Sequence, residues 1–210
     1  MEDVSKDILK RYLDHHNMMI DKVGFNPLAL YTTSASQIKR FREFEKLFHS
    51  KENFSLLDVG CGFSDFFAYL LGNDYKDLRF TGIDINEKMT GESQRRFPES
   101  TFITGTVEAL PESETYDYAV ASGVYNLGKS QEEVQDFFLE QFRVIAPKVN
   151  IGFAVNFLSA YTDKPDGVSI YHNPSMVLDK IMKEFGKYCI LSHDYLPHDF
   201  TVFVWKKMRD

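Results

Sequence analysis

The segment Leu56-Leu57-Asp58-Val59-Gly60-Cys61-Gly62-Phe63-Ser64-Asp65-Phe66-Phe67 limits what this chain can be more than any other. Ser55 to Val59 is a short apolar run of strand type. It stops at Gly60, and a helical pattern follows over 64–71, with Gly72 as its stop. A strand that ends in a glycine pair lets a ligand lie against bare backbone, because glycine has no Cβ to keep it away. In an open α/β sheet such a loop sits at the carboxyl end of a strand, where ligands bind.

The rest of the chain fits around that unit by alternation of strand and helix patterns. A helix is expected over 5–20. Ser34 opens a second one, with Gln37 completing a capping box and Ile38, Phe41, Phe44 and Phe48 forming one apolar face. Strands are expected over 78–83, 101–104, 116–121 and 149–157, and helices over 87–96 and from Ser130 with Glu133 to about Val144. Asn173-Pro174 starts a helix that Gly186 ends. Strands over 188–195 and 200–206 are close enough to form an antiparallel hairpin. The expected fold is therefore α/β, a seven-stranded, mostly parallel sheet with helices on both faces, an antiparallel last strand and an N-terminal helical cap. At 210 residues the chain suits a single domain over 1–210, with residues 1–50 as the cap and 54–206 as the core.

The ligand of the glycine loop can be narrowed by charge. A dinucleotide fingerprint needs a third glycine at the position of Asp65. A carboxylate there repels a pyrophosphate and competes for the helix N-terminal amides. A nucleoside carrying an ammonium and a sulfonium, S-adenosylmethionine, suits an acidic loop. Asp84 ends the next strand, 24 residues after Gly60. An acid there can accept hydrogen bonds from both hydroxyls of a ribose, and it can also cap the helix that follows.

LLDVGCGFS, GIDINEKM, FITGTVEALP and YDYAVASGVYNL, in that order and spacing, resemble the successive motifs of the class I (Rossmann-like) S-adenosylmethionine-dependent methyltransferase family. The resemblance covers roughly residues 54–160 and implies S-adenosylmethionine as cofactor and S-adenosylhomocysteine as product. It implies that Asp58, Gly60, Cys61 and Gly62 bind the methionine part, with Asp58 near the ammonium. Asp84 then holds the ribose, Ile85 and Met89 pack on the adenine, and Thr106, Val107 and Glu108 cap its edge. Ser122 and Gly123 lie where the methyl group is presented. Tyr31 and Arg40, just upstream of the loop, fall where an N-terminal helix often folds over the cofactor, with Arg40 on the methionine carboxylate. Ser64 stands where the family often has glycine, and Thr106 where an aspartate is common.

Methyl transfer is an in-line displacement with a neutral leaving group, so alignment and exclusion of water matter most. A base is needed only when the acceptor arrives protonated. Candidates around the expected mouth are Tyr125, Asn126, Asn156, Tyr161, Tyr171 and His172, with the amides of Asn126 and Asn156 facing one pocket. The 158–172 segment has the composition of a lid loop. His15 and His16 are adjacent and cannot aim at one ion from a helix, and no metal-ligand spacing occurs elsewhere.

Composition sorts the acceptors. A net charge of −7 disfavours a phosphate backbone as partner. The densest basic stretch, Lys39, Arg40, Arg42 and Lys46, is broken by Glu43 and Glu45 and reads as a solvated helix face. The 19 Phe and 11 Tyr favour a large core and an aromatic-lined pocket. A small-molecule acceptor is the first expectation. An RNA or protein methyltransferase is the second, although the Asn/Asp-Pro-Pro-Tyr type signature for exocyclic amines is replaced by ASGVYNL. A non-catalytic cofactor-binding module is the third. Two isolated cysteines, Cys61 and Cys189, and a polar N-terminus without a signal-peptide pattern lead to the expectation of a reduced, cytoplasmic protein. No apolar run reaches membrane-spanning length, and the protein is expected as a monomer or homodimer.

Overall fold

The computed structural model describes residues 2–30 and 33–208. Helix α1 (Glu2–Val23) and a 3-10 turn at Pro27–Ala29 precede α2 (Ser34–Phe44). Then β1 (Ser55–Val59), α3 (Asp65–Gly72), β2 (Arg79–Asp84), α4 (Glu87–Arg96) and β3 (Thr101–Thr104) alternate. They are followed by β4 (Tyr116–Ala121), α5 (Gln131–Ile145), β5 (Val149–Leu158), α6 (Pro174–Phe185), β6 (Cys189–Leu196) and β7 (Asp199–Trp205).

Among the described residues, the seven strands form one sheet in the order β3-β2-β1-β4-β5-β7-β6. The pairs from β3 to β5 are parallel, while β7 runs antiparallel to both β5 and β6. Winding goes outward from β1 through β2 and β3, then from β4 through β5. The direction of winding reverses between β1 and β4, and in such sheets the crevice outside that switch point takes the ligand.

Strand alternation divides the core into two layers. Leu57, Val59, Ala119, Ala121, Phe153, Val155 and Phe157 point to the side covered by α5, α6 and Ile8 and Tyr12 of α1. Leu56, Tyr118, Val120, Ala154, Phe203 and Trp205 point to the side where Phe41 and Phe44 of α2 and Phe66, Phe67 and Leu70 of α3 pack. β1 is buried at all five positions, as expected of a central strand covered on both faces.

Three local expectations are corrected. The N-cap of α2 is Thr33, whose Oγ1 accepts from Ser36 N at 3.2 Å, so Gln37 completes no capping box. Its Nε2 donates instead to Asp65 Oδ2 at 3.1 Å, a better use for a side chain facing the glycine loop. Ile38 is exposed, which leaves Phe41, Phe44 and Phe48 as the apolar face. At α5, Ser130 caps Glu133 N, but the Glu133 carboxylate accepts from Lys129 N at 2.6 Å rather than from the Ser130 amide. Asn173 caps α6 through Ser175 N and Met176 N, and Gly186 ends it at φ +109°.

Candidate functional site

The glycine loop is tied to β2 by its backbone. Gly60 N and Cys61 N both donate to Ile83 O, at 2.8 and 3.1 Å. Gly62 N donates to Asp84 Oδ2 at 3.0 Å, and Asn86 N to Asp84 Oδ1 at 2.9 Å. Gly60 (φ +67°) and Gly62 (φ +54°) are both in the left-handed region, and Ser64 (φ +57°) joins them. That conformation accounts for a common glycine at position 64, because a Cβ is strained there. Ser64 is held by its hydroxyl on Ser93 Oγ at 3.0 Å, while Ser93 Oγ donates to Gly62 O at 2.9 Å.

Asp58 is the electrostatic centre of the loop. Its residue is 3 % exposed, and no hydrogen-bond donor reaches its carboxylate among the described residues. Burial pushes its pKa well up, and the nearby Asp84 and Asp65 push it further. A buried acid without a donor is costly, and an arriving cation removes that cost. Asp84 is also held above its ordinary value, by burial first, with the amides of Asn86, Gly62 and Ile85 pulling the other way. Asp65 is less available than the sequence implies. Arg96 Nη1 reaches its Oδ1 at 2.8 Å and Gln37 takes its Oδ2. The bias against phosphate therefore comes mainly from Asp58 and Asp84.

The N-terminal cap closes over the strand ends. Tyr12 Oη accepts from Asn126 N at 2.8 Å and Leu127 N at 3.1 Å. Asn86 Nδ2 donates to Asn17 Oδ1, and Lys88 pairs with Asp21 at 3.1 Å. Ile20 and Ala29 pack with Phe63 and Met89, and Leu30 joins them. A Cβ on Gly62 would stand 2.6 Å from Leu30 Cδ1, and one on Gly60 2.4 Å from Val124 Cγ2. Leu30 and Val124 thus cover the bare backbone. Two surface depressions lie elsewhere, one bordered by Arg143, Gly152 and Lys206, the other by Lys46, Ile190 and Asp194.

The remaining expected cofactor residues gather around this loop in different states. Ile85 is partly buried, and Met89 is sealed beneath the cap. Gly105 N donates to Asp84 O at 2.9 Å, which brings the turn of Thr106, Val107 and Glu108 beside the end of β2. Val107 is buried in the core and Glu108 is exposed. Cys61 is buried, its thiol pushed well up by burial, and its Sγ fills the space over Gly82. Ser122 and Gly123 directly follow β4, with Gly123 at φ +72°. Tyr31 lies outside the described residues. Arg40, expected on a carboxylate of the ligand, is instead committed to Asp199, Nε to Oδ2 at 2.6 Å.

The candidate acceptor residues fare unevenly. His172 is fully buried, with Nε2 on Tyr125 O at 2.8 Å and Nδ1 facing Gln135 Nε2 at 3.4 Å. Burial pushes its pKa down to about 4. With both ring nitrogens engaged it has none left to move a proton, which corrects the expectation of a base. Tyr125 is also a core residue, its ring against Phe137, Phe138, Phe142 and Phe157. Asn126 Oδ1 accepts from Leu158 N at 3.1 Å, so it clips the loop after β4 to the end of β5. Asn156 donates through Nδ2 to Tyr195 Oη at 2.9 Å and to Phe200 O at 3.3 Å. Tyr161 is exposed, and Tyr171 Oη accepts from Asp166 N at 2.9 Å. The 159–172 loop is pinned at its base by His172 N on Leu158 O and Ile170 N on Asn126 O. Residues the sequence reading passed over are Asp199 and Tyr195. Only the hairpin turn marked their region.

The buried imidazole makes stability depend on pH. An unfolded histidine titrates near 6.5, so on acidification the unfolded chain binds the proton first. Stability at His172 is full above pH 6.5 and is lost as pH falls toward about 4. His16, lowered to about 4 by burial and by His15, adds the same sign. Asp58 has the opposite sign, because its raised pKa lets the folded state take up a proton first. His172→Gln is expected to shrink the loss of melting temperature between pH 7 and pH 5. An unchanged loss in the variant would remove His172 from this account.

Residues 56–148 match a family model described as a methyltransferase domain. A protein of Mycobacterium tuberculosis named "Putative methyltransferase Rv1506c" is 27 % identical over 168 residues, 77 % of this chain and 98 % of that protein. Magnesium protoporphyrin IX methyltransferase from Synechocystis PCC 6803, solved with bound SAH, superposes with a TM-score of 0.58 at 16 % identity, over 83 % of this chain and 82 % of that one. The DhpI–SAH complex gives 0.65 at 11 % identity over the whole of both chains. The glycopeptide N-methyltransferase MtfA complexed with SAH gives 0.56 at 10 % identity, over 79 % of this chain and 87 % of that one. At such identities the structural likeness is one of fold.

Proposed function

We propose that this chain, whose residues 56–148 match a methyltransferase domain, is a class I S-adenosylmethionine-dependent methyltransferase that methylates a small molecule at O, N or C. The observation that carries the cofactor side of this reading is Asp58, a buried carboxylate two residues before Gly60 whose pKa is pushed up by burial and by the neighbouring Asp84 and Asp65. The residues present fit the cofactor. Asp58 would take the ammonium, the loop backbone the methionine part, and Asp84 the ribose, with Ile85, Met89, Thr106, Val107 and Glu108 around the adenine. When bound, S-adenosylmethionine supplies an electrophilic methyl group on a sulfonium.

The chain's own part in the reaction is positioning and shielding. Leu30 and Val124 must yield for a ligand to reach the loop, and α1 with its Tyr12 clasp then closes the strand ends against water. Ser122, Gly123, Asn126 and Asn156 border the space where an acceptor would meet the methyl group. The acceptor class rests on the acidic charge and on the fold neighbours named for a porphyrin and a glycopeptide. The two unpaired thiols, Cys61 and Cys189, support a reducing, cytoplasmic setting, and no described helix is long and apolar enough to cross a membrane.

Transfer of label from methyl-labelled S-adenosylmethionine into a metabolite extract is the expected outcome, with little or none into total RNA or protein. Label in RNA or protein alone would replace the small-molecule reading with its alternative. Binding of S-adenosylhomocysteine without any transfer would favour a non-catalytic module.

A further inference from the structure

The α2 side of the sheet ends in a set of polar groups that joins Ser122 and Asn156, already placed beside the expected acceptor space, to Asp199. Asn156 of β5 pairs with Thr201 of β7, and Leu158 with Asp199, so these four residues share one face. Ala154, two residues before Asn156, belongs to the core layer under α2, which fixes that face. Ser122 directly follows Ala121, the last β4 residue paired with β5, which lies opposite Val155, the residue before Asn156.

Among the described residues, three buried oxygens here have no hydrogen-bond partner: Ser122 Oγ, Asn156 Oδ1 and Asp199 Oδ1. Asn156 and Asp199 are fully buried residues. Their other polar atoms are spent. Asn156 Nδ2 serves Tyr195 Oη and Phe200 O, and Tyr195 Oη also pairs with Thr201 Oγ1 at 2.8 Å. Arg40 Nε takes Asp199 Oδ2 at 2.6 Å, and His198 Nε2 stands 3.9 Å from the same oxygen. Native structures rarely bury unmet acceptors, so neighbouring ones call for a donor from outside the fold.

We propose that Ser122, Asn156 and Asp199 form the acceptor subsite and that it recognises an ammonium group on the methyl acceptor. The inference rests on the methyltransferase reading above. A carbonyl oxygen and a carboxylate oxygen carry no hydrogen and repel an anionic head, while the serine hydroxyl can accept as well as donate. An ammonium brings three donors to three acceptors. A carboxylate or phosphate brings none. Arg40 and Tyr195 are positioning residues: one holds Asp199 by a charge-assisted bond, the other fixes the Asn156 amide so that Oδ1 faces away from its partners. Tyr195 and His198 are partly exposed and lie on the side open to solvent.

The test fractionates the labelled extract experiment by ion exchange. Acceptor activity is expected to be retained on a cation exchanger at neutral pH and to pass an anion exchanger. With that fraction as substrate, Asp199→Asn is expected to raise KM at least tenfold while S-adenosylhomocysteine affinity by calorimetry stays within about twofold. Acceptor activity confined to neutral or anionic fractions overturns the inference, and this arm uses only the wild-type protein. A KM change in Asp199→Asn matched by an equal loss of S-adenosylhomocysteine affinity also overturns it. Failure of the wild type to bind S-adenosylhomocysteine defeats the cofactor reading itself, a result distinct from either.

Discussion

Gly60→Ala is expected to destabilise the protein by about 2–5 kcal/mol, from backbone strain and overpacking together. Gly60 sits at φ +67°, where an L-residue with a Cβ costs roughly 1–2 kcal/mol. The new Cβ would also lie 2.4 Å from Val124 Cγ2, and forcing atoms into a packed site typically costs about 1–3 kcal/mol. The two causes separate experimentally. Val124→Ala removes the obstructing methyls, so the double variant should recover the packing part and keep the backbone part. Urea unfolding of the four proteins gives the coupling. A Gly60→Ala midpoint equal to wild type would mean that the loop is not held in the left-handed conformation.

Asp84→Ala is expected to weaken S-adenosylhomocysteine binding by about 1–3 kcal/mol, the usual worth of hydrogen bonds to a charged group. In affinity that is roughly five- to 150-fold. The structure adds a second expected effect. The same carboxylate receives Gly62 N and Asn86 N, so the variant also frees the glycine loop from the start of α4. Asp84→Asn keeps a carbonyl oxygen for one of those amides and should lose less stability than alanine. Calorimetry with unchanged affinity in Asp84→Ala would refute the ribose assignment, whatever the stability shows.

How far the sequence could be read depended on the range of the interaction. Asn173 and Gly186 bracket α6 through groups within a few residues of each other, and the pattern was legible. The β1 run and its glycine pair were legible for the same reason: burial on both faces and a left-handed turn leave local marks. Gln37 shows where such reading stops. A capping box and a bond to Asp65 look alike in sequence, since both need only a short polar side chain near a helix start. His172 is a sharper case. A histidine before a helix N-cap is consistent with a base, and only the packing of α5 and of Phe157 against it shows a neutral ring with both nitrogens engaged.

The sequence by itself determined the strand–loop–helix unit, the alternation of strands and helices around a mostly parallel sheet, the reversed hairpin and the acidic glycine loop. These follow from periodicity, glycine and charge, which act along the chain. Only the tertiary structure decided which charges stay free. Arg40 and Asp199 are 159 residues apart yet pair through one carboxylate oxygen, Arg96 does the same for Asp65, and among the described residues no cation pairs with the buried Asp58. Burial sets the cost of each unpaired group, and burial is a property of the packed layers that no stretch of chain carries alone.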